Sequence, residues 1–191
     1  MTKKLWLFAT GVDRLRAWSR YTKPVWPVVE TTGYDDPARK PTPTQIKAEV
    51  WMSLVHGAMG VIYFVHVFKP AFVEAGLLAD ATNSAAVSAI NQQIRTLAPV
   101  LNSAPLADAA TVTSSNPRVP IDFVVKRQGP ATYLFAVAMR DGQVDADVTV
   151  RNAPAGASAD VLGEGRRIPL VDGRFRDSFT GYAVHLYRIA P

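Results

Sequence analysis

The chain has 191 residues, 48% of them apolar, with no cysteine and a formal net charge of +5. That length holds one ordinary domain or two small ones, and the apolar share is ample for a packed core. The missing cysteine excludes a disulfide framework, a thiolate metal site and a cysteine nucleophile.

The start, Met1 to Gly11, has a basic head and a short apolar patch, but Asp13, Arg14 and Arg16 follow too soon for a secretory leader, so it reads as the start of a folded element. From Lys4 to Arg20, Val12, Leu15 and Trp18 recur at near-helical spacing, and Lys23-Pro24 ends the helix because the residue before proline is pushed out of the α region. The run Pro24-Val25-Trp26-Pro27-Val28-Val29-Glu30-Thr31-Thr32-Gly33 then reads as a buried strand closed by an acid. A carboxylate at the carboxyl end of such a strand occupies the place where parallel α/β enzymes keep catalytic groups. Its simpler reading is that Glu30 marks where the strand surfaces.

After a polar loop holding Asp35 and Asp36, Thr42 is an N-cap, Pro43 fits the first helical position and Gln45 completes a capping box. The spacing of Ile46, Val50, Leu54 and Ala58 predicts a helix that stops at Gly60. Val61 to Phe68 is β-branched and aromatic, as in a strand covered on both faces. Strand, helix and strand in this order form a parallel βαβ unit. A loop from Lys69 to Asn83 leads to a helix with Val87, Ile90, Ile94, Leu97 and Leu101 on one stripe.

Beyond Pro105 the pattern changes to short strands over Ile121 to Arg127, Ala131 to Met139, Val144 to Arg151, Ser158 to Leu162, Arg167 to Val171 and Ala183 to Ile189. Turn signals such as Gly129-Pro130, Asp141-Gly142 and Asp172-Gly173 separate them, which describes a small antiparallel β-sandwich of about eighty residues. The fold class is α/β plus all-β, with a first domain over 1–106 and a sandwich over 107–191.

Together with Thr44 to Met52 and His56 to Phe64, the Pro24 to Thr32 strand resembles the last part of a (β/α)8-barrel glycoside hydrolase of the retaining, clan A-like type. The run Asp177 to Ile189 is similar to the closing strands of the β-sandwich that trails such barrels. The resemblance implies a partial (β/α) barrel made of terminal strands and helices. It makes Glu30 the carboxylate nucleophile and puts Phe64 to Phe68 at the mouth of the last strand, facing sugar. Tyr34, Phe64, His66 and Phe68 are then substrate-binding residues. Retaining hydrolysis also needs a second carboxyl about 5 Å away to protonate the leaving oxygen, and the resemblance places that group upstream of Met1. Within the chain, Asp35, Asp36, Glu74 and Asp80 are candidates for a substitute, although an Asp-Asp-Pro sequence is also ordinary turn chemistry.

Glycoside hydrolysis on a poly- or oligosaccharide is the expected function if a second carboxylate is supplied. The alternative is a non-catalytic carbohydrate-binding or interaction module derived from a truncated glycosidase. No cofactor is expected: glycine-rich phosphate loops and a Gly-x-Ser-x-Gly elbow are absent, and His56, His66 and His185 lack metal-ligand spacing. The expected partner is a carbohydrate. Scattered Lys and Arg do not make a nucleic-acid surface, and Gly60 to Phe68, the longest apolar stretch, is far shorter than the roughly 20 residues that cross a bilayer. The reading is a soluble protein, cytoplasmic or secreted. A sheet cut from a barrel exposes unpaired edges and apolar faces, so a homo-oligomer is expected.

Overall fold

The structure is a computed structural model, and it describes residues 4–190. The chain divides into two compact units, one ending at Arg95 and the other starting at Thr96. The division falls inside a continuous helix, Ala81–Leu101.

The first unit begins with α1 (Leu7–Trp18) and continues through β1 (Val28–Glu30), a 3-10 turn (Pro37–Arg39), α2 (Pro43–Val55), β2 (Ile62–Phe64), α3 (Gly76–Ala79) and α4 (Ala81–Leu101). β1 and β2 are parallel, with Val28 opposite Ile62, Val29 opposite Tyr63 and Glu30 opposite Phe64. Strand, helix and parallel strand therefore occur in the expected order, but both strands are much shorter than the apolar runs that carry them. Each has only one partner strand among the described residues, and pairing rather than composition sets the length of the ladder.

α2 starts as its sequence dictates. The Thr42 hydroxyl accepts from the Gln45 N–H, and the Gln45 side chain accepts from the Thr42 N–H. It ends one turn before Gly60, at Val55, with His56 as C-cap and Gly57 in the left-handed region at φ 90°. Val29, Ile46, Val50, Leu77, Val87 and Ile90 are buried together, so one face of the sheet packs against helices. Because side chains alternate along a strand, Val28 and Glu30 point to the other face. The expected Lys69 to Asn83 loop contains α3 and the first turn of α4.

The second unit contains β3 (Ala110–Ser114), β4 (Ile121–Gln128), β5 (Ala131–Ala138), β6 (Val144–Val150), β7 (Ser158–Val161), β8 (Arg166–Pro169), β9 (Arg174–Phe179) and β10 (Val184–Ala190). One sheet has the order β4-β5-β10-β7-β8 and the other β3-β6-β9, and every pair is antiparallel. Residues of both sheets share one core that includes Val125, Leu134, Val148, Phe175, Phe179 and Tyr187, which makes the unit a β-sandwich. Two strands, β3 and β9, lie entirely outside the six turn-bounded runs. β3 falls just after the 106/107 division, before the first of those runs. β9 alternates Phe175, Asp177, Phe179, and the acid in the inward phase interrupts an otherwise apolar pattern.

Asp177 is buried because its charge is matched. Arg166 donates to both of its oxygens at 2.9 Å, and the Tyr187 hydroxyl donates to Oδ2 at 2.9 Å. Burial pushes the Asp177 carboxyl up, but Arg166 and the Tyr187 hydroxyl outweigh it and hold it below the usual range.

Candidate functional site

The carboxyl ends of β1 and β2 are tied together by side chains where the ladder stops. The Thr31 N–H and hydroxyl both donate to the Phe64 carbonyl, at 3.2 and 2.7 Å, and the Thr32 hydroxyl donates to the His66 carbonyl at 2.7 Å. Both threonines are buried. The Asn83 amide donates to the Thr31 and Pro41 carbonyls at 2.9 and 3.0 Å, anchoring the strand end to the segment before α2. Thr31, Thr32 and Asn83 were not singled out in the sequence, although three consecutive polar residues after an apolar run would signal such a clasp.

Glu30 is half-buried at this clasp, and its Cα partner across the ladder is Phe64. Around Phe64 the four aromatic and histidine residues read from the sequence come together. Tyr34 lies 5.7 Å from Phe64 and 5.4 Å from Phe68, both edge-on; Phe64 and Phe68 stack at 6.2 Å; and His66 is 5.4 Å from Phe64 and 6.4 Å from Phe68. Tyr34 is placed by a left-handed backbone, φ 46°, and its carbonyl accepts from the Phe68 N–H at 2.7 Å. Phe72 joins the group at 5.5 Å from Phe68 and 5.9 Å from His66. Phe72 lies within the Lys69 to Asn83 stretch that the sequence predicts as a loop.

His66 Nδ1 is 2.5 Å from the Glu74 carbonyl oxygen. A carbonyl only accepts, so Nδ1 carries a proton and donates to it, which leaves Nε2 as the ring's other hydrogen-bonding nitrogen.

The four substitute carboxylates fall into two pairs. Asp36 Oδ1 accepts from the Ala38 N–H at 2.9 Å and its Oδ2 lies 3.3 Å from the Arg39 guanidinium, so it caps the 3-10 turn. Asp80 Oδ1 accepts from the Thr82 and Asn83 N–H groups at 3.1 Å, which is the N-cap of α4, and Oδ2 accepts from Lys40 at 2.6 Å. The Lys40 ammonium, then the Asn83 N–H, hold the Asp80 carboxyl below the usual range. A carboxyl of that kind is a poor proton donor near neutral pH. Asp35 and Glu74 are exposed, and the Glu74 carbonyl is the group that orients His66. A cavity of about 120 Å³ beside the clasp is lined by Thr32, Gly33, Lys40, Val67, Gly76 and Asp80.

Glu49, inside α2, is buried. His56 Nδ1 contacts Asp13 at 2.9 Å while its carbonyl accepts from Arg16 at 2.8 Å, which binds α2 to α1. Among the described residues, no group of three or more His, Asp or Glu could hold a metal, and no helix is long and apolar enough to cross a membrane.

No family model and no curated protein matches the sequence. Solved structures do match in fold. An Anoxybacillus alpha-amylase, described as representing a new glycosyl hydrolase subclass, superposes with a TM-score of 0.62 at 10% identity, over 96% of this chain and 46% of the amylase. The Geobacillus thermoleovorans alpha-amylase complexed with acarbose gives 0.63 at 9% identity, over 96% and 47%. A maltogenic alpha-amylase from Thermotoga neapolitana gives 0.58 at 10% identity, over 96% and 48%. The fold is that of glycosidases, and the chain spans less than half the length of these structures.

Proposed function

We propose that this chain is the carbohydrate-facing end of a glycosidase scaffold, with Glu30 as the carboxylate nucleophile toward O-glycosidic bonds of a poly- or oligosaccharide. In this reading β1, α2, β2 and α4 are the terminal elements of a (β/α) barrel of the retaining, clan A-like type, and the β-sandwich over 107–191 is its trailing domain. The observation that carries it is the parallel register of Glu30 with Phe64, at the carboxyl end of the strand pair and beside the ring cluster of Tyr34, Phe64, His66 and Phe68.

The chemistry assigns roles to these groups. The Glu30 carboxylate attacks the anomeric carbon, the rings stack against the C–H face of the sugar, and His66 Nε2 accepts from a sugar hydroxyl. A second carboxyl must protonate the leaving oxygen, and Asp35 and Glu74 are the candidates in this chain without a capping duty. A panel of aryl glycosides tests the reading: turnover by the full chain, reduced about a thousandfold or more in Glu30→Gln, supports it. A Glu30→Gln variant as active as the parent sinks the nucleophile.

The second reading is a non-catalytic carbohydrate-binding module. It is favoured by the capping duties of Asp36 and Asp80, which remove two of the four substitute acids. Sugar binding with no turnover of any aryl glycoside selects it.

A further inference from the structure

Phe72 lies one ring beyond the residues to which a sugar role has been given. It is 61% exposed, and an exposed phenylalanine by itself means little. What distinguishes this one is the rigidity of the turn that presents it. Val67 and Val73 exchange both backbone hydrogen bonds, at 3.0 and 2.8 Å, closing the segment between them. The Phe68 N–H is held by the Tyr34 carbonyl, His66 by the Glu74 carbonyl, and the Leu77 N–H donates to the Val65 carbonyl at 3.1 Å. The chain passes so close at Gly76 that a Cβ there would lie 2.6 Å from the Val67 side chain and 3.0 Å from the Val65 carbonyl. Phe68 and Phe72 are thus held in the open by a fixed backbone, which lowers the ordering cost of anything that binds them.

We propose that Phe68 and Phe72 form a second sugar position, beside the one at Glu30 and Phe64, that takes the next pyranose unit of an oligosaccharide. The proposal rests on the carbohydrate reading above. The rings step outward from the partner of Glu30: Phe64 to Phe68 at 6.2 Å, then Phe68 to Phe72 at 5.5 Å. Phe68 and Phe72 are 46% and 61% exposed, and the face of an aromatic ring attracts the polarised C–H groups on the apolar side of a pyranose. His66 touches all three phenylalanines and supplies a hydrogen-bonding nitrogen among them. Ring faces interleaved with a polar atom suit a sugar, which is apolar on its faces and hydroxylated at its rim. The 46° angle between the Phe68 and Phe72 rings makes the patch curved, fitting a twisted soluble oligosaccharide rather than a flat crystalline surface.

Calorimetric titration of the full chain with maltopentaose and xylopentaose, alongside shift perturbation with glucose and xylose, tests this. The expected result is that one pentasaccharide binds, that Phe72→Ala weakens it about tenfold with monosaccharide binding and circular dichroism unchanged, and that Phe72→Trp restores or tightens it. If Phe72→Ala leaves pentasaccharide affinity within about twofold while Phe64→Ala lowers it, the second position is wrong and the carbohydrate reading stands. If the parent chain binds none of the four sugars, both fall. If Phe72→Ala instead abolishes self-association in sedimentation and leaves sugar affinity unaltered, the patch is a protein interface and the proposal is overturned.

Discussion

Thr32 shows how one hydroxyl takes over where a ladder ends. Its bond to the His66 carbonyl is part-buried, and the register of β1 with β2 ends at Glu30 and Phe64. Thr32→Val keeps the shape and removes the donor, so it is expected to cost about 1–2 kcal/mol, read as a lower urea midpoint with unchanged slope. Thr32→Ser, which keeps the hydroxyl, is expected to recover most of that loss. Asp80 is a different case, because its contribution depends on charge. Its folded-state pKa lies below the unfolded value, so the stability it supplies is complete above the ordinary Asp range and is lost as pH falls through the folded value. Asp80→Asn retains an oxygen to cap α4 but not the ion pair with Lys40. At neutral pH it should cost no more than about 1 kcal/mol, and the first unit should lose part of its acid sensitivity below about pH 4. Urea midpoints at pH 7 and pH 3 decide this; an equal drop for both proteins between the two pH values would show that Asp80 carries no linked proton.

At the scale of elements, local chemistry is legible where it is self-contained. Thr42, Pro43 and Gln45 specify the start of α2 without help from the rest of the chain, and the capping box is present. The end of α2 is not local in this sense. The apolar spacing places the stop at Gly60, but the helix ends at Val55, where the Arg16 guanidinium of α1 donates to the His56 carbonyl. A Cβ at Gly57 would lie 2.5 Å from that guanidinium, on a backbone at φ 90°. Gly57→Ala should therefore destabilise by more than about 1 kcal/mol and lower Tm, with far-UV dichroism preserved; an unchanged Tm would mean that Arg16 is not part of the helix stop. The candidate site follows the same division. Glu30, Tyr34, Phe64, His66 and Phe68 could be grouped from sequence because a βαβ unit places two strand ends side by side. Phe72 could not, because the short turn returning Val73 to Val67 carries no periodic signal. The caps at Asp36 and Asp80 were legible in principle: each is a loop acid just ahead of a helical turn, the usual N-cap pattern. For Asp36 this is the turn chemistry that the Asp-Asp-Pro sequence already signals, and for Asp80 it is a cap that the loop reading did not include.

For the whole molecule, the uncovered face of the β1–β2 sheet dominates. Parallel strands normally have both faces covered, yet Val28 is 52% and Ile62 47% exposed on the face opposite the helices. α1 adds an outward apolar stripe of Leu7, Leu15 and Trp18, all exposed. Burying a side chain of this size completely is worth about 1.5–3 kcal/mol, so a few such residues suffice to drive association. The solved alpha-amylases that share the fold are about twice as long as this chain. We expect self-association at micromolar concentration, visible as a weight-average mass that rises with concentration in equilibrium sedimentation. Ile62→Lys sets a charge on the exposed face and leaves the helix-packed face alone, so the variant should fold normally and associate at least about tenfold more weakly. The same substitution separates this face from the Phe72 patch: if association runs through the sheet, Ile62→Lys abolishes it and Phe72→Ala does not. A parent chain that sediments as a monomer throughout that range would show that two strands with one packed face are stable alone, and that the exposed valine and isoleucine are tolerated rather than used.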